Sequence, residues 1–327
     1  MNVVAQRSNG VPASIKMPVN KKGFLRTLLG QWQMMLMSVP VLLYVLLFNY
    51  FPIRGWIGAF QNYEPKAGFS GSLYTGLENF KDLFGYGKLP PDEFILALRN
   101  TLAMSIINLV FGTVSAVLLA VLLNEVRAKW FKRTVQTVTY LPHFLSMVIV
   151  VSMVQNIFAT EGSVNGLLKG LGIIKENVFW LGTGKYFWWL VGVVNVWKEV
   201  GWGTIIYISA MTAIDPCLYE AAAIDGAGRF GRILHVTLPG IKSTFVILLI
   251  MNIGHLLEAG FEIQYLLDNA YVMEWSRTID VYVMDYGISK QNYGATIAAG
   301  MFKSVVAIIL LVSANFLAKK LDESTLI

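Results

Sequence analysis

Ionisable side chains lie inside three otherwise apolar segments of this 327-residue chain. Lys198 and Glu199 interrupt the first of these segments, His255 and Glu258 the second, and Lys303 the third. Charged groups are costly in hydrocarbon, so such residues usually face a bundle interior or a water-filled passage. The chemistry open to them is hydrogen bonding to a polar solute, proton transfer, or metal ligation.

Three of these charges share one level. Glu199, Glu258 and Lys303 each stand 16 residues from the predicted cytoplasmic end of their segment, about 24 Å along a helix. Asparagine and tryptophan, which suit sugar hydroxyls and sugar faces, lie beside them. We interpret nine residues as a substrate path: Asn195, Trp197, Lys198, Glu199, Trp202, Asn252, His255, Glu258 and Lys303. An equally supported alternative is that the two lysines and two glutamates neutralise one another and hold helices in register.

Other chemistry finds little support in the sequence. His255 and Glu258, at i and i+3, are too few to hold a metal, and no H-E-x-x-H motif occurs. A single cysteine, Cys217, excludes an intramolecular disulfide and a cysteine-based metal cluster. The phosphate-binding G-x-x-x-x-G-K-[ST] motif is absent. We therefore predict no catalytic residue, no metal and no bound cofactor, and we expect His143 to be a packing histidine.

The elements that position these residues are membrane-spanning helices. Hydrophobic residues make up 55% of the chain, charged residues 14%, and the mean hydropathy is +0.57. Three charge-free runs exceed the roughly 20 residues that a helix needs to cross a bilayer, and three interrupted segments have similar length. The sequence predicts an all-α polytopic protein with six spans: 27–53, 100–124, 134–160, 186–214, 243–260 and 293–318.

Basic residues are unevenly distributed between the connecting segments. The segments 1–32, 125–135, 214–243 and 318–327 hold 14 Lys or Arg in 83 positions, whereas the other connections hold 9 in 105. The positive-inside rule places the richer set, and both termini, in the cytoplasm. Residues 1–30 and 321–327 are then cytoplasmic tails around a permease domain at 31–320. The net charge of +6 follows the inner face and requires no nucleic acid.

A short polar loop at residues 215–239 separates two of the apolar segments. Asp215-Pro216 is a helix-start signal, and Gly226 can end that helix in a left-handed conformation. We expect a second helix near 229–236 that ends before Pro239, because proline disfavours helical geometry in the residue before it. The loop is thus predicted to be a compact helix-turn-helix.

This loop resembles the EAA loop of ATP-binding-cassette importer permeases. The family pattern reads Glu-Ala-Ala, three residues, Gly, nine residues, Ile, one residue, Leu-Pro, and only Val236 departs from it. The resemblance implies the type I importer fold and a groove on an ATPase subunit as the loop's binding site. The residues it assigns to coupling are Glu220, Ala221, Ala222, Gly226, Leu238 and Pro239. Glu220 would meet a basic residue there, the alanines would allow close approach, and Gly226 would make the turn.

The same resemblance implies the partners. It predicts a second, related permease in a heterodimer, two ATPase subunits that bind ATP and Mg, and a periplasmic or extracellular solute-binding protein. The location implied is the bacterial plasma membrane, surrounded by lipid.

Looser similarity to carbohydrate permeases suggests the cargo. It lies in Asn195-Val196-Trp197-Lys198, in 280–283 and in 302–306, and is greatest toward permeases for oligosaccharides derived from polysaccharides. Two alternatives remain open at this point: an ABC permease for a non-sugar solute, and a secondary transporter in which the intramembrane Lys, Glu and His carry protons.

Overall fold

The computed structural model describes residues 30–87, 91–321 and 325. The chain divides after Arg54 into two compact units. The predicted basic tail at 1–30 lies almost wholly outside the described residues, as does most of the 321–327 tail.

The first unit is helical where it is described. Helix α1, Trp32–Val45, continues as a π-helix at Leu46–Tyr50 and a 3-10 helix at Phe51–Phe60 that runs into the second unit. Pro40 is tolerated inside α1. Large apolar side chains are exposed all along α1, as expected for a helix that a bilayer surrounds.

The described residues of the second unit, from Gly55 onward, form helices, connecting turns and one small ladder. Strands β1, Gln61–Asn62, and β2, Leu73–Tyr74, pair antiparallel with Gln61 opposite Tyr74. The α-helices follow in chain order: α2 Gly68–Gly71, α3 Glu78–Leu83, α4 Pro91–Ile107, α5 Thr113–Glu125, α6 Lys129–Tyr140, α7 Met147–Ile157, α8 Ser163–Gly170, α9 Gly184–Thr212, α10 Pro216–Ile224, α11 Arg229–Arg232, α12 Leu238–Gly240, α13 Lys242–Gly254, α14 Glu262–Leu267, α15 Met273–Ser276, α16 Ile279–Met284 and α17 Tyr293–Lys320. Single π-helical turns join α4 to α5 at Asn108–Gly112 and α11 to α12 at Ile233–Thr237, and another extends α16 at Asp285–Ser289; 3-10 turns lie at Leu141–Phe144 and Trp180–Gly182.

The six predicted spans correspond to helical segments of three kinds. Among the described residues, three helices are long and apolar enough to cross a membrane: Trp32–Phe60, Asp92–Glu125 and Tyr293–Lys320. Two bent helix pairs raise that number to five. The sixth segment is α9, whose 29 residues span about 43 Å and carry Lys198 and Glu199.

The third predicted span is not one straight helix. Lys129–Phe144 and Met147–Ile157 meet at 102°. Pro142 lies in the 3-10 turn that ends the first part, and Leu145 and Ser146 are extended. Proline removes a backbone donor and crowds the preceding turn, and Ser146 then caps α7 by accepting a hydrogen bond from the Ile149 amide. The prediction of a continuous helix at 134–160 was wrong for this reason.

Three buried clusters hold the second unit together. One joins α7 and α9 to α14, a second joins α4 and α16 to α17, and a third joins α5 and α9 to Ile241. Helix α9 approaches α6 closely at Gly201, where an added Cβ would lie 2.1 Å from the Thr139 carbonyl oxygen. Helix α9 is therefore the central element, and its polar face decides where a site can form.

Candidate functional site

A cavity of about 420 Å³ opens beside the polar face of α9. Its volume lies within the range of ordinary small-molecule pockets. Walls come from α4, α5, α9 and α13 and from the residues that follow α13. Six of the nine residues predicted for the substrate path line it: Asn195, Glu199, Trp202, Asn252, His255 and Glu258.

The α9 wall follows helical periodicity. Asn195, Glu199 and Trp202 stand at i, i+4 and i+7, which places them on one face. Trp197 is five residues before Trp202, about 140° away around the helix, and it does not line the cavity. The prediction placed both tryptophans on the path because they are close in sequence, but they point in different directions from α9. The cavity wall therefore includes Trp202 and not Trp197.

Glu199 is held in place by a residue that the sequence did not single out for the path. His143 Nδ1 lies 2.7 Å from Glu199 Oε2, and the His143 ring stacks on Trp202 at 4.5 Å with an angle of 4° between the planes. His143 sits in the turn at the 102° bend. Its ring does pack, as expected, but it also orients two of the residues that line the cavity.

Lys198 supports this wall from behind. Its side chain is 9% exposed, and its Nζ donates to the His143 carbonyl oxygen at 2.7 Å and to Glu199 Oε1 at 3.3 Å. Lys198 is absent from the cavity lining. Lys198 therefore balances the charge of Glu199 and holds Glu199 and His143 in place. Its ammonium group does not face the cavity.

The opposite side carries a second histidine and glutamate pair. His255 caps the end of α13 and Glu258 lies in the turn after it, so the predicted helix at 243–260 ends early. His255 Nδ1 and Glu258 Oε2 are 2.9 Å apart, and both side chains are more than half exposed. Among the described residues no group of three or more His, Cys, Asp or Glu could hold a metal ion.

Lys303 belongs to a different part of the molecule. Its Nζ lies 2.6 Å from Asp280 Oδ1, and neither residue lines the cavity. The pair joins α16 to α17 and thereby connects the two sequence runs, at 280–283 and 302–306, that resemble carbohydrate permeases. Only Lys198 and Glu199 of the four predicted charges pair with each other, because Glu258 pairs with His255 and Lys303 pairs with Asp280.

The second span supplies a wall that charge counting missed. Ser105, Asn108 and Thr113 line the cavity from α4, the π-helical turn and α5. A π-helical turn inside an α-helix is frequent at functional sites. The sequence analysis chose the lining helices by their charged residues, and the predicted span at 100–124 has none. Asn108, a side-chain amide within an apolar run, was the feature of the sequence that could have indicated this wall.

The 215–239 loop folds as two short arms around a glycine corner. Asp215 caps α10 by accepting a hydrogen bond from the Cys217 amide at 2.9 Å, and Pro216 takes the first helical position. Gly226 has φ +80°, and Ala227 N donates to Ala222 O at 2.8 Å, as in a helix end closed by a left-handed residue. The predicted start and stop are both confirmed.

The second arm runs further than the sequence suggested. It begins at Arg229 and continues through the π-helical turn Ile233–Thr237 into α12, so Leu238 is helical with φ −63° and ψ −45°. The expectation that Pro239 ends the helix before it was wrong. A π-turn is wider than an α-turn, which makes room for the ring of Pro239. The chain turns at Ile241 instead, where the two helical parts meet at 57°.

The loop presents an exposed mixed surface. Ile224 and Phe230 are 87% and 83% exposed, and Glu220 and Ala221 are also exposed while Ala222 is half-buried. Tyr219 Oη lies 3.0 Å from the buried Thr237 Oγ1, which links the two arms. Large apolar side chains at the tip of a polar loop suggest a surface that a partner covers.

Opposite charges also tie α4 to the turn after α16. Arg277 and Lys290 both lie within 3.7 Å of Glu93 or Asp285 carboxylate oxygens, and Tyr286 donates to Glu93 Oε2 at 2.8 Å. Burial opposes the charged form of Lys290, but Tyr286 and Glu93 outweigh burial, and the pKa of Lys290 is raised. Burial together with Glu93 raises the pKa of Tyr286. The network is a structural clamp away from the cavity.

Comparison with known proteins identifies the family. Residues 108–323 match the binding-protein-dependent transport system inner membrane component family. The LplB protein of Bacillus subtilis (strain 168) is 43% identical over 89% of this chain and 90% of its own length. YteP, the polygalacturonan/rhamnogalacturonan transport system permease of the same strain, is 42% identical over 99% of each chain. A crystal structure of a bacterial alginate ABC transporter, in complex with an alginate pentasaccharide-bound periplasmic protein, contains a chain that is 34% identical with a TM-score of 0.83, over 93% of this chain and 99% of that one.

The family match, these relatives and the solved structure agree with the helical architecture and with the resemblance to importer permeases. The relatives are transport components and not enzymes. This chain belongs to the family of binding-protein-dependent transport system inner membrane components and is a permease subunit of an ABC transporter.

Proposed function

We propose that this permease moves oligosaccharides inward by alternating access, driven by ATP that partner subunits hydrolyse. The observation that carries the proposal is the 215–239 loop, an exposed helix-turn-helix that connects α9 to α13, two of the helices that wall the cavity. Relatives named for polygalacturonan/rhamnogalacturonan transport and for alginate import support the choice of oligosaccharides as cargo.

The loop is suited to bind a partner and to transmit its movement. Glu220 offers an exposed carboxylate to a basic residue of the ATPase, and Ala221 and Ala222 let the partner backbone approach. Gly226 forms the corner, while Leu238 and Pro239 connect the loop to α13. The bond between Tyr219 and Thr237 lets the loop move as one body. Rotation of the paired ATPases would then rock α9 and α13 together.

The cavity is suited to pass a sugar. Asn195, Asn252 and the two glutamates offer acceptors and donors for hydroxyl groups, and Trp202 offers a flat face that His143 stiffens from behind. Their position beside α9 and α13 couples the passage to the loop.

The resemblance to importer permeases, together with the loop and the cavity, supports a proposed assembly. A second, related permease would complete the passage. Two ATPase subunits, which bind ATP and Mg, would dock on the cytoplasmic 215–239 loops, and a solute-binding protein would deliver cargo to the opposite side of the membrane. The protein would lie in the bacterial inner membrane with both termini, the 1–30 and 321–327 tails, in the cytoplasm and with 31–320 as the permease domain.

A charge reversal in the loop tests the coupling role. In the complete importer reconstituted with its solute-binding protein, Glu220→Lys should insert normally but lower cargo-stimulated ATP hydrolysis to the unstimulated rate. Gly226→Val should act similarly, because a β-branched residue is strained at φ +80°. Glu176→Lys makes the same charge change at an exposed residue outside the loop and serves as the matched control. Full stimulation in Glu220→Lys would exclude the coupling role.

The cargo and the energy source need separate measurements. Calorimetry on the cognate solute-binding protein should show tight binding of an oligosaccharide, and tight binding of an amino acid or phosphate alone would refute the sugar assignment. Uptake into vesicles should require ATP and persist when the proton gradient is dissipated, whereas the opposite pattern would indicate a secondary transporter.

A further inference from the structure

The cavity wall carries two carboxylates and, among its described residues, no lysine or arginine. Glu199 and Glu258 face it with side chains 51% and 56% exposed. The nearest lysine on α9, Lys198, is turned behind the wall and donates to a backbone carbonyl. Carboxylates and phosphates are usually held by exposed Arg or Lys, so this wall favours an uncharged occupant.

Two further polar groups point to a hydroxyl-rich occupant. Ser105 is 6% exposed and lines the cavity, and its Oγ has no hydrogen-bond partner among the described residues. Asn108 Oδ1, one turn along, also has none. Leaving such groups unpaired in a buried place is unfavourable, and rotation about one side-chain bond would turn the Ser105 hydroxyl.

Sugar hydroxyls complement this set of groups. Each hydroxyl donates one hydrogen bond and accepts others, so it can donate to Glu199 or Glu258 and accept from the amides of Asn195 and Asn252, and it can reach Asn108 Oδ1 once that side chain rotates out of its buried position. A uronate carboxylate only accepts, and it would approach two carboxylates of the same charge.

We propose that the wall formed by Ser105, Asn108, Asn195, Glu199 and Glu258 binds an uncharged, hydroxyl-rich sugar unit and disfavours a carboxylated one. This proposal rests on the proposed import of oligosaccharides. It assigns Ser105 and Asn108, on the second span, as specificity-determining residues of the passage.

Uptake by proteoliposomes that hold the complete importer tests this assignment. The probes are a galacturonate trisaccharide and its carboxyl-reduced, neutral counterpart, supplied with the same solute-binding protein at one fixed pH. The measured quantity is the ratio of acidic to neutral uptake. Because the solute-binding protein is unchanged, its own preference cancels when the ratios of two permease variants are compared.

Removing the carboxylates should raise that ratio. We expect about a five-fold or larger increase in Glu199→Gln/Glu258→Gln, and no change in the control Glu161→Gln, an exposed residue outside the cavity. Ser105→Ala and Asn108→Ala should each raise the KM for the neutral trisaccharide by about two- to ten-fold. Co-purification of each variant with its partner subunits and an unchanged size-exclusion profile show that the variant folds and assembles.

Two results would overturn the proposal: an unchanged uptake ratio in the double glutamine variant, or wild-type KM values in both Ser105→Ala and Asn108→Ala. Failure of wild-type importer to take up any oligosaccharide would instead refute the proposed function, so the two ideas fail separately.

Discussion

The Asp280 and Lys303 ion pair provides a quantitative test of how α16 is fixed to α17. The 2.6 Å contact joins side chains that are 28% and 19% exposed, so water screens them only in part. Removing one partner leaves the other charge uncompensated in a poorly solvated place, which costs about 3–5 kcal/mol for a fully buried pair. Partial exposure lowers the value expected here to about 2–3 kcal/mol for Asp280→Asn or for Lys303→Met.

The double variant separates the charge effect from packing. Asp280→Asn/Lys303→Met removes both charges and should recover most of the lost stability, to within about 1 kcal/mol of wild type. The assay is chemical denaturation in detergent micelles, with the free energy of unfolding compared across the four members of the cycle. The matched control is His255→Gln, which breaks a pair with more than half of each side chain exposed and should cost under about 1 kcal/mol.

A different outcome would refute the reasoning. If each single change costs less than about 1 kcal/mol and the two effects add in the double variant, the pair is effectively solvated. Lys303 would then be available to the passage, contrary to its position in the structure.

Two further predictions concern the loop and the outer clamp. Cys217 is the single cysteine of the chain and is exposed in the 215–239 loop. An impermeant thiol reagent should therefore label this residue in inverted vesicles but not in intact cells, and bound ATPase should slow the labelling. Labelling in intact cells would contradict the cytoplasmic placement of the loop. The free energy of unfolding should fall in alkali. Because the pKa values of Lys290 and Tyr286 are raised, the folded state holds these two protons more tightly than the unfolded state does. The stability that these groups contribute is full below about pH 10 and is lost as the pH rises through their folded-state pKa values. Glu93→Gln should reduce this alkaline loss in a denaturation series, and an unchanged pH dependence would exclude the clamp as its source.

Much of the fold could be predicted because membrane helices are defined locally. Each of the six predicted segments is largely helical, and among the described residues up to five are long and apolar enough to cross a membrane, since a span needs about 20 apolar residues whatever its neighbours do. The start and the end of α10 in the 215–239 loop could also be predicted, because Asp215, Pro216 and Gly226 determine the backbone conformation within one or two helical turns. The failures occurred at Pro142 and Pro239, where a proline's effect depends on whether a 3-10 turn or a π-turn precedes it.

The sequence by itself determined that this chain is a polytopic helical protein with a family-specific loop, because periodicity, charge and turn chemistry are properties of neighbouring residues. Tertiary structure alone decided which polar side chains meet. It placed His143 against Glu199 across 56 positions, turned Lys198 behind the wall, gave Lys303 to Asp280, and brought Ser105 and Asn108 to the cavity. Pairing between distant helices depends on their rotation and bending, and a one-dimensional pattern does not specify either.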